Sequence, residues 1–254
     1  MTSKINYEIG GGGPRLVLLH PVGLDLTFLR PVAEILRKDF TVLTPDQRGH
    51  GKSAAAAPDA SLETYADDLH GLLTELKFTP AAVGGFSFGG MVTQAFALKY
   101  PAVTSAVIIC ACGSQQSPQR RAAARARADD TRRGGIQAVL EVTLDRWFTP
   151  AFRAAGKDAP AKQRLLADDV EGWARAWYAI GDLDTLPRLP SIRAPTLCVA
   201  GELDQSVPPP TIKAIADAIP DARYEIIAGA PHMLFIEQPE ATARLIGNFL
   251  KGVV

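Results

Sequence analysis

The run Gly85-Phe86-Ser87-Phe88-Gly89 constrains this chain more than any other feature. It follows the apolar stretch Ala81–Phe86 and precedes the helical stretch Met91–Lys99. A strand that turns straight into a helix leaves so little room that only tiny residues fit two positions before and after the central serine. Such a turn lifts the Ser87 hydroxyl clear of the sheet. It also sets the hydroxyl at a helix N-terminus, where unpaired backbone N–H groups favour negative charge. The spacing therefore predicts a nucleophile elbow with Ser87 as an acyl-transfer nucleophile.

Short apolar runs alternate with helical patterns along most of the 254 residues. Leu16–Leu19, Phe40–Thr44, Ala81–Phe86, Val103–Ala111, Pro195–Ala200 and Arg223–Ile227 read as strands. Phe28–Lys38, Ser61–Lys77, Met91–Lys99, Pro210–Ala218 and Pro239–Lys251 read as helices, with Pro31 tolerable only in a first turn. Continuous apolar strands separated by helices predict an α/β fold: a mostly parallel central sheet with helices on both faces. From Gly113 to Arg193 no strand pattern is visible, and all three tryptophans lie there. The expectation is a core of residues 1–112 and 194–254, with residues 113–193 inserted as a helical lid. Ala54–Ala57 is a short low-complexity stretch read as loop.

Lys plus Arg equals Asp plus Glu at 27 each, which argues against a nucleic-acid binder that relies on a broad basic face. No apolar run approaches membrane-spanning length. Met1–Gly13 is polar and then glycine-rich, without a signal-peptide core, so the expected location is the cytoplasm. Cys110 and Cys198 sit in apolar runs and read as buried free thiols. The pair Cys110-x-Cys112 lacks the further ligands of a zinc site. No metal or cofactor is expected.

An acyl-transfer serine needs a base, a group that orients the base, and an oxyanion hole. Four histidines are present. His20 ends a strand, His50 lies in the loop Asp46–Ser53, and His70 lies on the polar side of a helix. His232 follows the last strand, which is where the base should stand. Between Ser87 and His232, the segment Ala200-Gly201-Glu202-Leu203-Asp204 directly follows a strand, and Asp204 is the expected orienting acid in preference to Glu202. The Phe88 N–H is the expected first oxyanion donor. Pro21 has no N–H, so the second is expected from Val22, with Gly23 as the fallback.

These motifs, in this order, resemble the α/β-hydrolase superfamily across essentially the full chain. The resemblance rests on Asp46-x-Arg48-Gly49-His50-Gly51-x-Ser53, the elbow, Gly201-x-x-Asp204, and Pro231-His232 with Glu237-Gln238-Pro239-Glu240. Within that loop motif, Arg48 and Ser53 are expected to serve structure. A narrower resemblance is to the 3-oxoadipate enol-lactonases and related carboxylesterases. It is carried by Leu24-Asp25, Arg146-Trp147-Phe148-Thr149-Pro150, and Ala179-Ile180-x-Asp182-x-Asp184. Many members have glycine or a small polar residue where this chain has Pro21. The resemblance implies the α/β-hydrolase fold and a cofactor-independent serine hydrolase of small esters or lactones.

Specificity is expected from the lid. Its segment Gln119–Arg133 carries six arginines, any one of which could meet a substrate carboxylate if it turned inward, although most must face water. Phe86, Phe88 and Met233 flank the expected catalytic positions and suggest an apolar acyl pocket, with Trp147 and Met233 as substrate contacts. The lid aromatics Trp147, Phe148, Trp173, Trp177 and Tyr178 otherwise read as lid core. Three other readings share the scaffold. A carbon–carbon bond hydrolase of ring-fission products is disfavoured by Phe86 before the serine and by Met233-Leu234-Phe235 after the histidine. A cofactor-free perhydrolase or haloperoxidase is the second. A non-catalytic small-ligand receptor is the third.

Overall fold

The computed structural model describes residues 4–55 and 59–253. Ala56 and Ala57 of the alanine-rich loop lie outside the described residues. Seven strands form one sheet: β1 (Tyr7–Gly11), β2 (Arg15–Leu19), β3 (Thr41–Pro45), β4 (Ala81–Phe86), β5 (Thr104–Cys110), β6 (Thr196–Gly201) and β7 (Arg223–Ile227). Their order is β1-β3-β2-β4-β5-β6-β7, and every pair is parallel except β1 with β3. The helices are α1 (Arg30–Leu36), α2 (Leu62–Glu75), α3 (Phe88–Lys99), α4 (Pro118–Gly134), α5 (Leu140–Trp147), α6 (Pro150–Ala154), α7 (Ala159–Leu166), α8 (Val170–Gly181), α9 (Pro209–Ala218), α10 (Leu234–Glu237) and α11 (Pro239–Lys251).

The central strands explain the parallel sheet. Every residue of β4 and β6 is buried, as it must be when both faces are covered. The edge strands differ. β7 is largely exposed or half-buried, and β1 alternates exposed with half-buried positions. β1 was not expected: its sequence, Tyr-Glu-Ile-Gly-Gly, carries neither an apolar run nor good strand formers at its end.

The strand order places a crevice. β2 pairs with β3 on one side and with β4 on the other, so successive connections leave β2 in opposite directions. In open α/β sheets, ligand sites form outside the carboxyl ends of strands at such a switch point. His20 follows β2 and Ser87 follows β4 at that edge, with Leu18 beside Gly84 and Leu19 beside Gly85.

Between β5 and β6 the chain runs through α4 to α8, with two short 3-10 turns. The two ends of this insertion are tied together at a neck. Gln116 N–H donates to Leu183 O at 3.1 Å and Thr185 N–H to Ser114 O at 2.7 Å. Gln94, buried in α3, holds both strands of the neck, donating to Gly113 O at 2.9 Å and accepting from Thr185 Oγ1 at 2.6 Å. The insertion also packs onto the turn after β2. A Cβ on Gly23, whose φ is +74°, would lie 2.3 Å from Cζ3 of the fully buried Trp173. No helix among the described residues is long and apolar enough to cross a membrane.

Candidate active site

Ser87 sits at φ 53° and ψ −116°, between the last residue of β4 and the first of α3. This conformation costs on the order of 1–3 kcal/mol and persists only where the surroundings enforce it. They do so here. Ser87 N–H donates to Cys110 O at 2.9 Å, tying the turn to β5. A Cβ on Gly85 would stand 2.2 Å from the Gly89 carbonyl, and one on Gly89 would stand 2.4 Å from Leu19 O. The small residues are thus required by backbone contact on both sides of the serine.

His232 and Asp204 come from neighbouring loops. Asp204 lies three residues beyond β6, and His232 lies between β7 and α10. The loops interlace: Leu203 N–H donates to Ala230 O at 2.9 Å and Glu202 N–H to Ile227 O at 3.1 Å. His232 Nε2 stands 2.9 Å from Ser87 Oγ, and His232 Nδ1 stands 2.8 Å from Asp204 Oδ2. A carboxylate can only accept, so Nδ1 carries the proton and Nε2 presents its lone pair to the serine. The other oxygen, Asp204 Oδ1, accepts N–H donors from Ser206 and Val207, each at 2.8 Å. Glu202 is engaged elsewhere, accepting from Gly229 N–H at 2.7 Å. Both Asp204 and His232 are buried.

The turn Pro21–Leu24 is held from below by His20. Its Nδ1–H donates to Pro21 O at 2.7 Å, and its Nε2 accepts the Gln47 N–H at 2.9 Å. Gln47 Nε2 in turn donates to His20 O at 2.7 Å. Burial, reinforced by the nearby His50 ring, pushes the His20 pKa down to about 4. The neutral ring is therefore a brace for the turn. Unfolded, the ring takes a proton near pH 6.5, whereas the folded ring refuses it until about pH 4. Protons are then bound more by the unfolded state, and stability falls as pH drops through that window, by up to about 3 kcal/mol. Denaturant midpoints for the wild type and His20→Gln should accordingly converge as pH falls from about 7 to about 4.5. A gap that stays constant would show that His20 does not titrate this way.

Of the loop residues marked in the sequence, Arg48 forms an ion pair with Asp68. Ser53 Oγ donates to Asp46 O at 2.6 Å. His50 is buried against Phe88, ring centroids 6.2 Å apart. All three cysteines are buried and free.

Ser87 and His232 open into a cavity of about 820 Å³. Its walls bring in Val22, Met91, Trp147 and Trp177, together with Arg120, Arg127 and Arg146. Val22 lines it, whereas Gly23 does not. Val22 N–H is unpaired among the described residues, and Phe88, as the first residue of α3, has an N–H with no intrahelical partner. The expectation for Met233 needs correction. Its side chain is fully buried in the hydrophobic core and absent from the cavity lining, and only its backbone N–H reaches the insertion, donating to Trp147 O at 3.0 Å. Phe86 and Phe88 are likewise buried away from the cavity, so most of the apolar wall comes from the insertion, with Val22, Met91 and Val207 added by the core. Trp173 and Phe148 are core, while Trp147 and Trp177 are wall. Sequence reasoning did not single out Arg127. The signal was there: Arg120, Ala123, Ala124 and Arg127 recur at helical spacing and share the cavity-facing side of α4.

The model of the alpha/beta hydrolase fold family matches residues 14–239. A curated relative, 3-oxoadipate enol-lactonase 2 of Acinetobacter baylyi, is 27% identical over 254 residues, covering 97% of this chain and 93% of that protein. The solved structure of a thermophilic esterase from Thermogutta terrifontis with malate bound superposes with a TM-score of 0.94 at 31% identity, covering 99% of this chain and 94% of that one. The enol-lactonase from Burkholderia xenovorans LB400 superposes with a TM-score of 0.91 at 30% identity, covering 98% and 97% of the two chains. With the family match running from β2 to the start of α11 over the same sheet and elbow, the chain belongs to the α/β-hydrolase fold family.

Proposed function

We propose that this protein hydrolyses small carboxylic esters or lactones through an acyl-enzyme on Ser87. The observation that carries the reading is the continuous chain Ser87 Oγ, His232, Asp204, with contacts of 2.9 Å and 2.8 Å, opening into a cavity of small-molecule size. His232 Nε2 takes the Ser87 proton as Oγ attacks the carbonyl carbon. The tetrahedral oxyanion is met by the N–H groups of Val22 and Phe88, with the N-terminus of α3 adding favourable potential. His232 then returns the proton to the leaving oxygen, and the C–O bond breaks. Water, deprotonated by the same nitrogen, releases the acid. In a lactone the leaving oxygen stays tethered, so a single ring-opened acid results. Asp204 keeps His232 in the productive tautomer throughout.

The relatives named as enol-lactonase and esterase support this reaction class. The test is a panel of aryl esters and γ-lactones, combined with a serine-directed fluorophosphonate read by intact mass. Turnover of at least one class and a single adduct mapping to Ser87 are expected. A protein that takes up no adduct and turns over no member of the panel would instead be a receptor built on this fold.

A further inference from the structure

We propose that Arg127 binds a free carboxylate on the substrate, separate from the scissile carbonyl, so that the preferred substrates are anionic esters or lactones. This rests on the hydrolase reading above. It starts from the six arginines of α4, which look alike in sequence and are used differently in space. Arg121 and Arg125 face Asp182, Arg132 is paired with Glu171 at 2.8 Å, and Arg133 is paired with Asp130 at 2.6 Å. Arg127 has no carboxylate partner among the described residues. Its Nη2 donates to the Thr143 hydroxyl, and more weakly to Val139 O at 3.5 Å. Its Nε is shut away from solvent with no acceptor among the described residues.

A guanidinium withdrawn from water without a counter-charge is costly unless something else supplies the charge. The surroundings supply it only in part, through two indole faces and the through-space charge of Asp130. The guanidinium lies 4.8 Å over the Trp177 ring and 5.9 Å from that of Trp173. Burial and the nearby positive Arg146 push its pKa down to about 10. Asp130 is the one acid lining the cavity among the described residues, and it is committed to Arg133.

The cavity wall thus carries Arg120, Arg127 and Arg146 against that single engaged acid, with Ser87 and His232 in the same lining. Arg127 Nη1, which has no acceptor among the described residues and is not enclosed as Nε is, is the donor left to meet an acceptor-only anion in the cavity. A planar carboxylate suits a guanidinium through paired N–H bonds. Arg120 and Arg146 are exposed, so water can satisfy them, whereas Arg127 is the half-buried member.

The experiment compares two aryl esters of equal chain length, mono-para-nitrophenyl glutarate and para-nitrophenyl pentanoate. The wild type should favour the charged ester in kcat/KM by about tenfold or more. Arg127→Gln should lose about 30-fold on the charged ester, mostly through KM, and change little on the neutral one. Arg127→Lys should recover part of the loss. Glutarate itself, titrated calorimetrically, should bind the wild type and bind Arg127→Gln more weakly by a similar factor. Equal wild-type kcat/KM for both esters, or an equal loss on both in Arg127→Gln, overturns the proposal and leaves Arg127 a packing residue. If neither ester nor any γ-lactone is turned over and no fluorophosphonate adduct forms, the hydrolase reading fails on its own. Glutarate titration then still decides the anion site: binding that depends on Arg127 supports it, and no binding refutes it.

Discussion

Replacing Ser87 by alanine should lower kcat for an aryl ester by about 10⁵-fold or more while KM changes little. The hydroxyl forms its bond to carbon only as the transition state is approached, so its removal costs catalysis and not ground-state binding. The measurement is steady-state kinetics, with thermal denaturation to confirm that the fold is intact. Ser87 makes its structural contact through its backbone N–H to Cys110 O, which alanine retains. His232→Ala should cost about as much, because without the base the hydroxyl is a poor nucleophile. The double variant should be no slower than either single one, since the two side chains act as a unit. A Ser87→Ala enzyme that kept more than about a hundredth of its rate would remove the serine from the chemistry.

The candidate site was legible only in part: Ser87 and Asp204 follow strands that read as apolar runs, whereas His232 stands five residues beyond the largely exposed β7 and is marked only by its place after the last strand. β4 and β6 are buried at every position, so their ends, and the loops carrying Ser87 and Asp204, could be located by hydropathy alone. β1 could not be, since an edge strand made of Tyr-Glu-Ile-Gly-Gly has no such pattern. The pocket was less legible for a different reason. Met233 is next to His232 in sequence, yet adjacency along a chain does not fix direction, and its side chain faces the core. Two short motifs that carried the family resemblance prove to be one joint. Thr149 N–H and Oγ1 donate to the two carboxylate oxygens of Glu237, at 2.7 Å and 2.9 Å, across 88 positions. That joint, with the Met233 N–H bond to Trp147 O, ties the insertion to the loop that carries the candidate base. Such pairing is a tertiary event, and neither segment announces its partner.

Asp204→Asn should be the more revealing loss, about 10⁴-fold in kcat near neutral pH with the fold unchanged. The two carboxylate oxygens are not equivalent. Oδ1 is held by the N–H groups of Ser206 and Val207, so an asparagine must keep its carbonyl oxygen there. Its amide nitrogen is then forced to the place of Oδ2, 2.8 Å from His232 Nδ1. An amide donates where the carboxylate accepted, so Nδ1 must give up its proton and Nε2 must carry it. The ring would then present an N–H to Ser87 Oγ and could not remove its proton. The geometry would survive while the tautomer was reversed. Nitrogen-15 NMR of the imidazole, read beside kcat, distinguishes this from a loosened site. The expected result is a protonated Nε2 together with an unchanged melting temperature. A variant that stayed within tenfold of wild type, or that kept the proton on Nδ1, would mean that Asp204 does not orient the base.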